Sequence, residues 1–222
     1  MDHDNEKKYF ELFALKILKE YQNLEMEKFI QAEKPDWQDL DSSIGIEITR
    51  NSVGTKFWSD LEKVKKPIID IEEFNRKFKK NGGTIIPIEQ ARIIFNDKDI
   101  KDGFGFNDNY FYIIPSYNDD FSEINRIINK KLKKLNNNYK EMIDNRLFVF
   151  SPIYANEEMI KNELQSIVNI QEGMERKFDI VYVCLLNKLI VFNIKEDSWK
   201  CIKMDREIFD KLSLEASEEI KS

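Results

Sequence analysis

The chain has 222 residues, of which 41% are hydrophobic and 34% are charged, and its formal net charge is −6 at pH 7. This length suits one well-buried core and is short for two, and the apolar fraction is too high for a disordered protein. The acidic balance excludes a protein that coats nucleic acid indiscriminately, although a local basic surface is compatible with it. We expect one α/β domain spanning residues 1–222.

The cysteine and histidine content narrows the chemistry. Cys184 and Cys201 cannot form a disulfide framework, so we expect a reducing, cytoplasmic compartment. The polar start is no signal peptide and no apolar run is long enough for a bilayer, so no membrane association is expected. His3 as the single histidine excludes histidine zinc sites and histidine-dependent triads. A metal site must therefore consist of carboxylate and carbonyl oxygens, which favours Mg²⁺ or Mn²⁺.

Apolar residues at helical spacing predict an amphipathic helix from Glu6 to about Asn23 and a short second helical stretch at 24–32. Pro35 then leads into an extended segment. After a turn at 41–43, residues 44–49 form a predicted strand with two different faces. One face carries Ile44, Ile46 and Ile48, and the other carries Gly45, Glu47 and Thr49.

The remaining elements alternate between helices and strands. Helices are predicted at 55–64, 71–80, from Asp119 or Asp120 to about Met142, at 156–168 and at 205–212. Strands are predicted at 85–88, 91–95, 110–114, 146–150, 179–186, 188–194 and 199–203, with the tail at 215–222 frayed.

Two acidic residues lie on neighbouring extended segments. Asp36 follows Pro35, and Glu47 comes eleven residues later. Adjacent antiparallel strands can bring two such side chains together, and close carboxylates are poorly tolerated unless a cation lies between them. The pair predicts a divalent-metal site. The alternative is an ordinary Pro-Asp turn and a glutamate on an exposed strand face.

The long predicted helix carries a lysine within its apolar face. At about 100° per residue, Lys131 lies about 20° from Ile124. The apolar residues within about 60° of Ile124 are Phe121, Ile127, Ile128, Leu135, Tyr139 and Met142. A lysine there is costly unless its ammonium group reaches water or an acid, and a carboxylate site is such a partner. The alternative is that Lys131 bends out of the core to water.

Pro35-Asp36 and Gly45-Ile46-Glu47-Ile48-Thr49 together resemble the signature of the PD-(D/E)XK nuclease superfamily, the restriction-endonuclease-like proteins. The resemblance implies a core of order α-β-β-β-α-β, with a central mixed sheet flanked by helices. It covers residues 6–151 if 51–107 is an insertion. Residues 152–222, including a C-terminal β-hairpin, are then peripheral additions.

The resemblance also implies an activity and its metal ligands. Asp36, Glu47 and the carbonyl of Ile48 are expected to hold Mg²⁺ or Mn²⁺, which polarises the scissile phosphate and activates water.

One position departs from the family pattern. The family has lysine two residues after the glutamate, where this chain has Thr49, which can position a water but supplies no positive charge. Some members supply the lysine from the following core helix, and Lys131 is the candidate for that role. An acid from the first helix commonly assists, with Glu20 the first choice and Glu33 the second.

A basic stretch follows on the same helix. Between Arg126 and Lys140 there are six positive residues and no negative ones. Its predicted phosphate-binding residues are Arg126, Lys130, Lys133 and Lys134. The alternative is a solvated helix face.

Three functions are consistent with these features. The first is a metal-dependent nuclease acting on nucleic acid, DNA rather than RNA. The second is a catalytically silent protein of the same fold that binds nucleic acid or protein, which Thr49 favours. The third is an α/β interaction domain unrelated to nucleases, which leaves Lys131 unexplained. The Asn-, Ile- and Lys-rich composition suggests a low-GC bacterium or its phage, and a homodimer is left open.

Overall fold

The computed structural model describes residues 3–41, 43–51, 84–87, 89–90, 105–107, 110–113, 121–151, 155, 157–185 and 188–220. The chain divides into two compact units. The first consists of residues 1–51, 121–151 and 155–222, and the second of residues 52–120 and 152–154. Residues 52–107 of the predicted insertion belong to the second unit.

The described helices and strands follow one another in a fixed order along the chain. The α-helices are α1 (His3–Gln22), α2 (Ser122–Asn138), α3 (Glu157–Ile170) and α4 (Arg206–Glu219). The strands are β1 (Phe29–Gln31), β2 (Trp37–Asp39), β3 (Ile44–Arg50), β4 (Thr84–Pro87), β5 (Gly105–Asn107), β6 (Tyr110–Ile113), β7 (Asp144–Phe150), β8 (Ile180–Cys184), β9 (Lys188–Asn193) and β10 (Ser198–Lys203). A single 3-10 turn, Met26–Lys28, precedes β1.

The first unit is built on a mixed sheet of seven strands in the order β1-β2-β3-β7-β8-β9-β10. The β3–β7 and β7–β8 pairs are parallel, and the other neighbouring pairs are antiparallel. The second unit contains a three-stranded antiparallel sheet of order β4-β6-β5. The prediction of a mixed α/β fold is therefore confirmed. Within the described residues, no helix combines the length and apolar character needed to cross a bilayer.

Side-chain alternation assigns one helical layer to each face of the seven-stranded sheet. Opposite Ile48 lies Phe148, and two residues further along β7 the ring of Phe150 stacks on Phe13 of α1 at 5.6 Å. The alternate positions of β3 and β7 face the other layer, where Lys131 of α2 reaches Glu47. The sheet consequently separates α1 from α2, and β3 presents its apolar face to α1 and its acidic position to α2.

Two predicted boundaries near the candidate site are wrong. The helical stretch predicted at 24–32 is a 3-10 turn followed by β1, because Phe29 pairs with Asp39 as the outer strand of the sheet. The long helix α2 ends at Asn138 rather than Met142, because Tyr139 has extended backbone angles, φ −94° and ψ 146°. Its predicted caps, Asp119 and Asp120, lie outside the described residues.

The C-terminal region is more closely integrated than the sequence suggested. β8 pairs in parallel with β7, so residues 152–222, predicted as peripheral additions, supply three strands of the main sheet. Helix α4 runs to Glu219, through most of the tail predicted as frayed. It is held against α1 by an edge-to-face contact between Phe209 and Phe13, with ring centroids 5.0 Å apart. The helices predicted at 55–64 and 71–80 and the strand predicted at 91–95 lie outside the described residues.

Gly45 is required by close packing on the face of β3 that carries Glu47. A Cβ atom at this position would lie 2.6 Å from Cγ of Pro35 and 2.8 Å from Cγ of Met142. Both distances are shorter than any normal carbon contact. The absence of a side chain at Gly45 therefore lets the segment before β2 and the segment after α2 approach the same strand.

We predict that Gly45→Ala lowers the free energy of unfolding by about 1–3 kcal/mol, because the added methyl group overpacks this contact. Urea unfolding followed by circular dichroism measures the change. The double variant with Met142→Ala should recover part of the loss, because one of the two close neighbours is removed. If Gly45→Ala lowers the free energy of unfolding equally in the unmodified protein and in Met142→Ala, the strain does not come from the contact with Met142.

Candidate functional site

The β2–β3 hairpin brings Asp36 and Glu47 together. Trp37 pairs with Ile46 across the hairpin, so Asp36 and Glu47 occupy the next opposed positions. Asp39 fixes the turn, because its Oδ1 accepts hydrogen bonds from the amides of Ser43 and Ile44 at 2.6 and 2.9 Å. The sequence prediction that adjacent antiparallel strands would unite the two acids agrees with this register.

Asp36 lies at the edge of β3 where its pairing with β2 ends. The residue is 3% exposed, and its Oδ2 accepts a hydrogen bond from the Ile48 amide at 2.7 Å. The carboxylate thus takes the place of a strand partner for Ile48. Because the N–H and C=O of a strand residue point to the same side, the Ile48 carbonyl is directed to this same edge.

Glu47 is buried, at 4% exposure, on the face of the sheet covered by α2. Its Oε1 lies 2.5 Å from Nζ of Lys131, whose side chain is 15% exposed. Its Oε2 is also buried but accepts no well-formed hydrogen bond from any described residue. The structure therefore directs Lys131 to a carboxylate rather than out to water.

A second group of polar side chains reaches Asp36 from α1. Lys7 Nζ lies 3.1 Å from Oε1 of Glu11 and 3.5 Å from Oδ1 of Asp36. The amide of Gln31, on β1, donates to the other oxygen of Glu11 at 2.9 Å. Glu11 is itself buried. Asp36 therefore lies between a lysine-bearing cluster of the α1 layer and the Glu47–Lys131 pair of the α2 layer.

These contacts perturb the ionisation of the site. Burial and the negative charge of Glu47 raise the pKa of Asp36 to about 7, against the opposing effects of the Ile48 amide and Lys131. Burial and the neighbouring Glu47, which the hydroxyl contacts, strongly raise the pKa of Tyr139. Burial disfavours the Lys7 ammonium, but the hydrogen bond to Glu11 and the nearby carboxylates raise its pKa overall. A perturbed acid beside an opposed pair of lysines is typical of functional sites.

The helix-1 acid at the site is Glu11, and the sequence prediction of Glu20 does not match this geometry. Glu20 is exposed and, nine residues later, lies about 180° around α1 at about 100° per residue. Glu33, the second choice, is also exposed, and Thr49 is partly exposed on β3. The signal for Glu11 was present in the sequence, because it lies at helical spacing within the apolar stripe of Ala14, Leu15 and Leu18.

The predicted phosphate-binding residues are all exposed on α2. Lys130 and Lys134 flank the Lys131 side of the helix, whereas Lys133 and Arg126 project from the opposite side. Arg126 also donates two hydrogen bonds to Glu123, at 2.8 and 2.5 Å, so its charge is partly neutralised. Around the helix, Lys130 and Lys134 are therefore closer in direction to Lys131 than Lys133 and Arg126 are.

Arg176 fixes the end of α2 that carries Tyr139. Its Nη1 donates to the carbonyls of Leu135 and Tyr139 at 2.7 and 2.9 Å, and its Nη2 donates to the carbonyl of Lys140 at 2.7 Å. Because the last carbonyls of a helix have no partner within it, one guanidinium group satisfies several of them at once. The loop before β8 therefore holds Tyr139 in place next to Glu47.

The donor set fits a hard divalent cation. Asp36 and Glu47 supply carboxylate oxygens, the Ile48 carbonyl faces the same edge, and Oε2 of Glu47 is buried without a well-formed hydrogen bond among the described residues. Oxygen ligands of this kind suit Mg²⁺ and Mn²⁺. The described residues contain no group of three or more Asp, Glu, His and Cys side chains arranged to hold a metal. A cation at this site would therefore have two carboxylate ligands, and its other ligands would be the Ile48 carbonyl and water.

Comparisons of the chain with protein-family models, with curated proteins and with solved structures found no match.

We predict that burial of Asp36 makes the metal-free protein less stable as pH rises. Folding raises the pKa of Asp36 from 3.8 to about 7. Between these two pH values the folded protein keeps a proton on Asp36 that the unfolded chain has lost, so the free energy of unfolding falls as pH rises through this range. With chelator present, the unfolding free energy of Asp36→Asn should exceed that of the unmodified protein by an amount that grows over this range, on the order of a few kcal/mol. Urea unfolding at successive pH values measures the difference.

Asp39 provides a control, because folding shifts its pKa in the opposite direction from that of Asp36. Burial opposes its ionisation, but hydrogen bonds from Ser43 and Ile44 lower its pKa overall. Its contribution is therefore present at neutral pH and is lost as pH falls through the acidic range. If the difference in unfolding free energy between Asp36→Asn and the unmodified protein does not change with pH, the pKa of Asp36 is not raised by folding.

Proposed function

We propose that this protein is a metal-dependent nuclease that hydrolyses phosphodiester bonds, with DNA as the favoured substrate. The observation that carries the proposal is the 2.5 Å contact between Lys131 and Glu47 beside the buried Asp36. Two buried acids can hold a divalent cation that activates water, and a lysine from the neighbouring helix can stabilise the negative charge that grows on the phosphate.

The order of elements supports the same proposal. Helix α1, the strands β1 to β3, helix α2 and the strand β7 follow the α-β-β-β-α-β order of the PD-(D/E)XK superfamily if β4 to β6 of the second unit, including the strand predicted at 110–114, are taken as an insertion between β3 and α2. Asp36 and Glu47 are adjacent in that order, and the lysine comes from the following core helix rather than from position 49. The proposed assignment to this superfamily rests on this order and on these three residues together.

Each residue has a distinct role in the proposed reaction. Asp36, Glu47 and the Ile48 carbonyl would hold Mg²⁺ or Mn²⁺, which supplies polarisation of the phosphate and activation of water. The oxygen of water adds to phosphorus and gives up a proton to solvent, the bond between phosphorus and the leaving oxygen breaks, and the leaving oxygen takes up a proton from a water molecule. Lys131 stabilises the negative charge that grows on the phosphorane. Lys130 and Lys134 contact neighbouring phosphates of the backbone.

A catalytically silent binding protein of the same fold is the second candidate. The same ion pair favours it, because Lys131 already neutralises Glu47 without a metal, and Thr49 supplies no charge at the usual lysine position. In such a protein the pair would be purely structural, and the exposed lysines of α2 would bind nucleic acid without cleaving it.

The first test is cleavage of single- and double-stranded DNA, and of RNA, with Mn²⁺ or with chelator. We predict cleavage that requires Mn²⁺ and that is lost in both Asp36→Asn and Glu47→Gln. Calorimetry on the same variants should show weakened Mn²⁺ binding. Retained Mn²⁺ affinity in both variants would contradict the metal site. Metal binding without cleavage of any substrate would favour the silent protein.

We predict that Lys131→Met retains Mn²⁺ binding but lowers the single-turnover cleavage rate by about 10²–10³-fold, because it removes charge stabilisation in the transition state. Lys161→Met, which removes an exposed lysine from α3, is the matched control and should cleave normally. Equal rates in the two variants would mean that Lys131 acts only as a structural partner of Glu47.

A further inference from the structure

Lys7 lies at the solvent-facing side of the candidate site. Its side chain is 57% exposed, whereas the side chains of its partners Glu11 and Asp36 are 4% and 5% exposed. An ammonium group has three donors, and two carboxylates cannot use all of them in this geometry. Lys7 therefore keeps hydrogen-bonding capacity toward solvent while remaining next to Asp36.

The two lysines beside Asp36 differ in what they can do. Lys131 is largely buried, and its Nζ lies 2.5 Å from Oε1 of Glu47. Lys7 comes from the opposite helical layer and makes longer contacts, 3.1 Å to Glu11 and 3.5 Å to Asp36. An anion arriving from solvent meets Lys7 without first displacing a buried ion pair, so the desolvation penalty of the new contact is small.

We propose that Lys7 is a substrate-contacting residue that binds the scissile phosphate from the α1 side, opposite Lys131. The inference rests on the proposed nuclease function and adds to it a second lysine, besides Lys131, that no sequence motif indicates. In the free protein Lys7 neutralises Glu11 and Asp36. With a divalent cation held by Asp36 and Glu47, Lys7 would no longer be needed as the counter-charge of Asp36, and its ammonium group could donate to a phosphate oxygen of the substrate.

This exchange has a signature that a structural lysine lacks. Removing a positive charge next to a metal ligand strengthens metal binding, and removing a contact to the phosphate slows cleavage, so the exchange predicts both changes in one variant. We therefore expect Lys7→Met to bind Mn²⁺ about three- to tenfold more tightly in the absence of nucleic acid. The same variant should cleave about 10- to 100-fold more slowly in a single turnover with saturating substrate.

Lys8→Met is the matched control. It removes the same charge from the neighbouring exposed residue, which projects about 100° away on α1. Calorimetry with Mn²⁺ and single-turnover cleavage of a DNA duplex are measured for the unmodified protein, Lys7→Met, Lys8→Met and Lys7→Gln. Lys7→Gln keeps a donor to Glu11 without the charge, so it separates the effect of charge from that of folding.

The outcomes separate the inference from the proposed function. Tighter Mn²⁺ binding with slower cleavage in both Lys7 variants, and neither change in Lys8→Met, supports the inference. A cleaving unmodified protein whose Lys7 variants match Lys8→Met, or bind Mn²⁺ more weakly, overturns the role of Lys7 and leaves the nuclease intact. An unmodified protein that cleaves no substrate overturns the nuclease and, with it, Lys7 as a contact to a scissile phosphate.

Discussion

The burial of two adjacent carboxylates, Asp36 and Glu47, is the constraint on which the rest of the site depends. Both are less than 5% exposed, and neither could be ionised there without nearby positive charge or donors. The protein supplies Lys131 and the Ile48 amide, and Lys7 adds a further contact to Asp36. The elevated pKa of Asp36 shows that this compensation is incomplete.

The charge balance explains why a cation is expected. Glu11, Asp36 and Glu47 bring three carboxylates to one edge of the sheet, and Lys7 and Lys131 bring two ammonium groups. When all are ionised, one negative charge is left without a counter-charge, and it is concentrated at the two acids of the β2–β3 hairpin. A divalent ion held by Asp36 and Glu47 would reverse this imbalance.

The layered fold is what allows lysines to approach from two directions. Because β3 separates the α1 layer from the α2 layer, a residue at its open edge is accessible from both. Asp36 occupies that edge, whereas Glu47 points to one layer only. Gly45 allows the segment after α2 to approach the β2–β3 hairpin closely, because it has no side chain to collide with Met142. The guanidinium group of Arg176 holds the end of α2 in place by donating to the carbonyl of Tyr139.

Local sequence patterns predicted most of the described helices and strands and three residues that the structure brings together, Asp36, Glu47 and Lys131. The alternation of side chains along β3 placed Glu47 on the face opposite its isoleucines. The helical spacing of apolar residues in α2 placed Lys131 within the apolar face, where its ammonium group needs a partner. Both are local patterns with a fixed period. The extent of α4 and the place of β8 to β10 in the main sheet could not be read in this way, because they depend on pairing between distant segments.

The pairing of the charged groups follows from the packing of the helices on the sheet and not from any local pattern. This packing paired Lys131 with Glu47, selected Glu11 instead of Glu20, and brought Lys7 to Asp36. The physical reason is that a side chain's period along its own helix specifies the face it occupies but not the group that the opposite element presents there. The packing of α1 and α2 on the two faces of the sheet determines which group lies opposite each of these charged side chains.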